Sequence, residues 1–299
     1  MDSQRTLRRQ ISCAGIGLHS GNKVTLTLKP AAADTGIRFR RTDVNVEIPA
    51  TIAHVTGLQY ATVLGKDGAT VETVEHLLAA LVSSGIDNVV VELNRNEVPI
   101  MDGSAAPFLF LVQEAGVKKL SAVRKHLKIV RPVQITDGDK RIAVYPSDHF
   151  KVSYTISFDH PLLRHQSRTE RITEQSFAEC IAAARTFGFL KEVEWMRQNR
   201  LALGGSLENA IVIGDTGVLN PLRFEDEFVR HKILDAIGDL ALLGYPIIGH
   251  VVAHRAGHAL HTALVSQLLE EQDAWMLVDS PVIATPVAGT VATPVGAVN

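Results

Sequence analysis

His231, Asp235 and Asp239 recur every four residues through HKILDAIGDL, residues 231–240. At 3.6 residues per turn this spacing holds the three side chains within roughly 80° of one another on one helix face. Ile233, Leu234, Ile237 and Leu240 flank them, so the helix is expected to be buried or to line a cleft. Acids and imidazoles that face a core are costly unless something pairs them. A divalent metal is an efficient partner. His231 and Asp235, one turn apart, can both reach one ion. Asp239 sits roughly 12 Å along the axis from His231, too far to ligate with it easily, and is expected to support a neighbour instead. The competing reading is an ordinary amphipathic surface helix.

A second candidate group lies far away in sequence. Glu75 and His76 open the helical pattern VETVEHLLAALVSSGI. His76 is a candidate third ligand and Glu75 a candidate general base. Taken as an isolated dipeptide they read more simply as a helix surface. The combination is stronger: two His and one Asp with a position left open is a catalytic zinc shell. Zinc lowers the pKa of its water from ~15.7 to about 7, and a nearby carboxylate then accepts the proton. His258, in RAGHALH, is a candidate general acid, with Asp239 as the carboxylate that orients it and favours its cation. Without that partner it reads as a surface His at a helix start. Thr186, in ARTFGF, is a candidate oxyanion donor or part of a helix C-terminus. Ser104 and Ser206 do not sit in a GxSxG elbow. GLHSG (17–21) and PIMDGS (99–104) match no phosphate loop or dinucleotide fingerprint and read as tight turns.

Composition narrows the class. The 299 residues suffice for two domains. A net charge of −2 gives no global basic field to draw nucleic acid. Cys13 and Cys180 form no CxxC pair, which excludes cysteine-rich zinc modules and a disulfide framework and fits a reducing, cytoplasmic setting. The polar start MDSQRTLRRQ has no apolar signal core. No charge-free apolar run reaches about 18 residues, the length a spanning helix needs.

The elements that must position these residues follow from periodicity. KVTLTLKP and GIRFRR alternate as strands around the turn AAADTG, and DNVVVELN reads as a buried strand. PFLFLVQEAGV reads as a helix. KKLSAVRKH, near 118–126, reads as a charged connector and domain boundary. HLKIVRPVQIT, DKRIAVYPS and FKVSYTISF restart the strands. SFAECIAAARTF, EFVRHKILDAIGDLALLG and GHALHTALVSQLLEEQ read as helices. KEVEWMRQNRLALGGSLENAIVIGD has the look of an insertion. The Ala-, Val-, Thr- and Pro-rich end is expected to form no packed structure. Strands then helices in both halves suggest a duplicated α+β unit, although no sequence repeat is visible.

GLHSG, TVEHLLAAL, PIMDGSA, ARTFGF, GGSLENAIV, EDEFVRHKILDAIGDL and GHAL occur in this order. With them, residues 4 to about 275 resemble the UDP-3-O-acyl-N-acetylglucosamine deacetylases, zinc amidases of bacterial lipid A biosynthesis. The resemblance implies an α+β fold of two similar α/β sandwich domains, with helices between the sheets and a small insert in each. The expected division is 1–122, 123–279 and a tail at 280–299. It implies Zn2+ on His76, His231 and Asp235, with Glu75 as base, His258 as acid, Asp239 supporting His258 and Thr186 as oxyanion donor. Lys232 is implied as a substrate-contacting lysine, Phe187 beside the sugar, and Phe158, Lys140 and Arg255 near the uridine diphosphate. Leu18, Val193, Met196, Ala202, Ala210 and Val212 are implied along an acyl passage, with the second insert near 187–217. The implied substrate is a UDP-linked acylated amino sugar, handled by a monomer with at most transient membrane contact. Two departures stand out: TGLQYATVL after Val55 is not the usual Ser- and Thr-rich loop, and Ser157 precedes Phe158 where many members carry Asp. A zinc amidase for another acylated sugar nucleotide and a non-catalytic lipid-binding relative are the alternatives.

Overall fold

The computed structural model describes residues 2–279; the low-complexity tail expected at 280–299 lies outside the described residues. Two five-stranded sheets frame the chain. The first contains β1 (Ile11–Ile16), β2 (Lys23–Pro30), β3 (Ile37–Arg41), β4 (Val46–Pro49) and β5 (Val89–Leu93), ordered β1-β2-β5-β3-β4. The second contains β6 (Val133–Asp137), β7 (Lys140–Tyr145), β8 (Lys151–Ile156), β9 (Gln166–Arg171) and β10 (His250–His254), ordered β6-β7-β10-β8-β9. The two orders are the same. The directions also agree, with β3–β5 and β8–β10 parallel and the remaining pairs antiparallel.

A parallel pair needs a crossover connection, which a helix supplies. The longer helices are α1 (Glu75–Ser83), α2 (Ala106–Ala115), α3 (Leu190–Gln198), α4 (Glu227–Leu240) and α5 (His258–Glu270). α1 makes the crossover before β5 and α4 the one before β10; α2 and α5 then follow the last strand of their sheets. The same trace is thus built twice from dissimilar sequences, because strand alternation and helix amphipathicity are the shared requirements, not residue identity.

Alternation sends Val24, Leu26 and Leu28 of β2, and Val152, Tyr154 and Ile156 of β8, to the inner faces. α2 packs on β1, α4 on β8 and β9, and α5 on β6 and β7, while α1 lies against α2 and α4. Helices fill the middle and sheets the outside of this two-domain α+β sandwich. Leu77, Leu78 and Leu81 of α1 are fully buried. Each contributes about 1.5–3 kcal/mol of transfer free energy, which lets a nine-residue helix stand in the core.

Each domain carries extra structure between its fourth strand and its crossover helix. In the first it is a small sheet of Val55–Gly57, Val63–Lys66 and Ala69–Val71. In the second, Phe187–Phe189 and Ile211–Ile213 pair in parallel and enclose α3. The first-domain turns GLHSG and PIMDGS hold this second insert. Gly204 N–H donates to Leu18 O and Thr186 N–H to Gly103 O, at 3.0 and 2.9 Å. Gly103 sits at φ +85°, and a Cβ there would lie 2.0 Å from Asn209 O. Only glycine fits that approach.

Two segments differ from expectation. Residues 118–126 are not a connector: Val117–Val123 pairs with Ser3–Leu7, and Lys125–Ile129 with Trp275–Asp279. Their lysines face solvent while Leu127 and Ile129 face the core, so the alternation hides in a basic run. SFAECIAAARTF is not one helix either. A short turn at Glu174–Ser176 and a π turn at Phe177–Ile181 are followed by extended chain, because contacts from α4 capture Ala184 and Arg185.

Candidate active site

The site forms where α1 and α4, one helix from each half, cross. Gly238 makes the crossing close: a Cβ there would lie 2.0 Å from Glu75 O and 2.7 Å from its carbonyl carbon. Ala is ordinarily about 1 kcal/mol better than Gly inside a helix. Here the clash reverses the sign. Gly238→Ala is expected to lower stability by about 1–3 kcal/mol and to displace Glu75 and His76 from α4. Thermal unfolding and divalent-metal titration check this; a more stable variant with unchanged metal affinity would show the crossing to be tolerant.

The crossing brings His76 to His231 and Asp235. All three are buried. Asp235 Oδ1 lies 3.2 Å from His231 Nε2 and 3.5 Å from His76 Nε2. One candidate ligand atom from each falls within 4.8 Å of the others. The far sides of His231 and Asp235 are fixed. His231 Nδ1–H donates to Ala184 O at 3.0 Å, which leaves Nε2 with its lone pair inward. Lys232 Nζ donates to Asp235 Oδ2 at 2.7 Å. Among the described residues nothing hydrogen-bonds to Asp235 Oδ1, although it is buried. A buried carboxylate oxygen without a donor, facing two imidazole nitrogens, fits a cation. Burial holds the His231 pKa down to about 3, so its ring stays neutral, as a ligand must be. Burial alone would raise the Asp235 pKa, but neighbouring His231 and Lys232 hold it well below the usual range, so it stays ionised.

Glu75 and His258 flank this cluster. Glu75 Oε2 accepts the Thr62 N–H at 3.1 Å, and burial raises its pKa despite the opposing pull of His258 and His76. His258 Nδ1–H donates to Asp239 Oδ2 at 2.7 Å, and the Thr62 hydroxyl donates to Oδ1 at 2.6 Å. Burial works against the His258 cation, yet Asp239 pushes its pKa up to about 9. Asp239 itself is brought down to about 2, the His258 charge and hydrogen bond overcoming burial. A carboxylate whose pKa is raised and an imidazole held as its cation thus stand side by side. Asp239 is not a member of the His76 cluster; it groups with His258 and His261.

Thr186 is positioned through its neighbour. Arg185 donates from both its backbone N–H and Nε to Glu227 Oε1, at 3.0 and 2.9 Å, and from Nη2 to Pro221 O at 2.7 Å. Glu227 opens α4 one turn before His231. One buried ion pair therefore ties the Thr186 strand, the Ala184 carbonyl and the ligand helix together.

Thr186 and Phe187 share an apolar cavity of about 250 Å³ with Leu18, Val193, Met196, Ala202, Ala210 and Val212. Leu190, Leu207 and Leu219 also line it and are partly exposed. The Phe187 ring joins the cavity to the polar cluster: its centroid is 6.3 Å from the His231 ring, and Lys232 Nζ lies 5.6 Å from its centroid. Phe158 packs edge-on against Phe187 at 6.0 Å. Lys140 and Arg255 lie outside the cluster. They lie at the sheet end from which α5 starts, where Arg255 pairs with Asp139 at 2.7 Å.

Thr62, Glu227 and His261 carry the site without having been singled out in the sequence. Thr62 lies in the loop that departs from the usual pattern, and nothing local marks it. His261 left a signal, three residues after His258 and therefore on the same helix face.

Two imidazoles and a carboxylate around one point, with a second carboxylate and a cationic imidazole beside them, are the equipment of a metal-dependent hydrolase. Comparison with known proteins narrows the class. A family model described as LpxC, UDP-3-O-acyl N-acetylglycosamine deacetylase, matches residues 4–270, and the chain belongs to that family. It is 50% identical over 281 residues to the UDP-3-O-acyl-N-acetylglucosamine deacetylase of Syntrophotalea carbinolica, covering 93% of this chain and 91% of the relative. It is 52% identical to the Pseudomonas entomophila protein of the same name, covering 93% and 94%. The Anaeromyxobacter dehalogenans protein of that name is also 52% identical, with 92% and 90% covered.

Proposed function

We propose that the chain hydrolyses the N-acetyl group of UDP-3-O-acyl-N-acetylglucosamine, giving acetate and UDP-3-O-acyl-glucosamine in lipid A biosynthesis, and that its metal is zinc. The observation that carries the reading is the donorless Asp235 Oδ1 facing the Nε2 atoms of His76 and His231. Two nitrogens and one oxygen suit zinc better than magnesium or calcium, which prefer all-oxygen shells. When bound, zinc supplies Lewis acidity toward a carbonyl and a water.

The residues divide the remaining work. Glu75, buried and with a raised pKa, takes the proton of the attacking water. The Thr186 hydroxyl donates to the oxygen on which negative charge develops. His258 carries its proton on Nε2, since Nδ1 is occupied by Asp239, and delivers it to the departing amine. Lys232 holds Asp235 and offers a cation beside the sugar. The apolar cavity takes the acyl chain, with Leu18, Val193, Met196, Ala202, Ala210 and Val212 along its wall. Phe187 and Phe158 form the sugar side of the cleft. Lys140 and Arg255, at the rim, suit a diphosphate, provided that Arg255 exchanges Asp139 for it. The domain division at 1–122 and 123–279 fits the two sheets, which end and begin at β5 and β6. Among the described residues no helix is long and apolar enough to cross a membrane. A cytoplasmic monomer that meets membrane only transiently is part of the proposal.

The test is acetate release by the purified chain from the acylated nucleotide and from UDP-N-acetylglucosamine without the acyl chain. The acylated compound is expected to be at least about 10²-fold better in kcat/KM, since remote binding energy is used at the reacting centre. Equal rates would remove the acyl passage from the account, and no release from either would overturn the reaction.

A further inference from the structure

Asp239 holds two imidazoles, and the reaction above uses one of them. His261 lies one turn beyond His258 on α5 and is fully buried. Its Nδ1–H donates to Asp239 Oδ2 at 2.8 Å, the same oxygen that accepts from His258 at 2.7 Å. On its other side Nε2 is 3.0 Å from the Tyr154 hydroxyl, which is 2.7 Å from Ala256 O. Tyr154 is a fully buried residue of β8. The His261 ring stands edge-on to both neighbours, at 80° to Tyr154 and 83° to His258. A hydrogen-bonded row therefore runs from His261 through Asp239 to His258, across two helices, with the Tyr154 hydroxyl packed at its end.

We propose that His261 is a positioning residue for the acid step: it shares the Asp239 carboxylate with His258 and thereby limits how tightly Asp239 holds the His258 proton. This rests on reading His258 as the acid. An anion whose charge is already drawn on by one donor binds a second donor less strongly. Burial keeps His261 neutral, so it acts as a fixed dipole and adds no second cation. Its Nδ1–H then belongs to Asp239, while the Tyr154 hydroxyl beside Nε2 donates its one proton to Ala256 O. The groups facing the two imidazoles are Glu75 from α1, Asp235 and Asp239 from α4, Tyr154 from β8 and the Thr62 hydroxyl. Among the described residues only His261 competes with His258 for Oδ2, because Thr62 occupies Oδ1.

The experiment follows the ring titration of His258 by NMR in the zinc-loaded full chain, together with the pH profile of kcat. His261→Phe removes the donor. It is expected to move the His258 titration, and the alkaline limb of kcat with it, upward by about half a pH unit or more. kcat near neutral pH is expected to fall about three- to tenfold with KM unchanged, because a more tightly held proton is a weaker acid. His261→Asn restores an N–H toward Asp239 and is expected to return both readouts toward wild type. Tyr154→Phe leaves Nδ1–H in place and is expected to leave the His258 titration where it is in wild type. A folded, zinc-loaded His261→Phe protein whose His258 titrates as in wild type would overturn the proposal. If that variant does not fold, an unmoved titration in a folded, zinc-loaded His261→Leu protein does so. A shifted titration in a protein that never releases acetate would uphold the role of His261 and overturn the assigned reaction.

Discussion

Asp235→Ala is expected to bind no zinc at concentrations that saturate the wild-type protein and to lower kcat/KM by about 10³-fold. The carboxylate is the one anionic donor of the cluster, and its unbonded Oδ1 faces both imidazole nitrogens. Removing it leaves two imidazoles, and the Lewis acidity they would have to retain is worth several kcal/mol, at about 1.4 kcal/mol per tenfold in rate. The loss should not be one of folding. His231 keeps its bond to Ala184 O, and Lys232 is freed in a position where it is partly exposed. Metal content by mass spectrometry, beside thermal unfolding, separates the two outcomes. A variant that keeps stoichiometric zinc would move Asp235 out of the ligand set.

His258→Gln is expected to lower kcat by about 10²–10⁴-fold with zinc still bound. It should also abolish the alkaline limb of the pH profile. The sign follows from the direction of the shift. Asp239 raises the His258 pKa to about 9, so the ring is charged at neutral pH and has a proton to give there. Wild-type kcat should therefore hold through neutral pH and fall as pH rises through about 9. The acid limb belongs to Glu75, whose pKa burial raises: activity falls as the carboxylate takes up its proton on lowering pH. Stopped assays from pH 5 to pH 11 measure both limbs. A His258→Gln enzyme that keeps a wild-type alkaline limb would assign that titration to another group.

These residues were legible to different degrees. The spacing of His231, Asp235 and Asp239 fixes one face of one helix, and the structure has that helix, buried, with Asp239 turned to His258. Glu75 and His76 were weak as a dipeptide, because nothing local says that α1 crosses α4. The crossing depends on Gly238, which in sequence reads only as a poor helix residue. Thr62 reaches Asp239 across 177 residues and Glu227 reaches Arg185 across 42. Pairings at such separation leave no periodic trace. The strands were readable where alternation was clean, as in β2 and β8, and hidden where lysines occupy the outward positions, as at Val117–Val123. The helix expected at SFAECIAAARTF fails for a tertiary reason: Ala184 O and Arg185 bond to α4 instead of continuing the helical ladder.

The most direct measurement is acetate release from UDP-3-O-acyl-N-acetylglucosamine by the protein as purified, after chelation, and after zinc is returned. Zinc-dependent hydrolysis requires activity that disappears on chelation and comes back with about one equivalent of zinc per chain. Release that survives complete removal of the metal would contradict it.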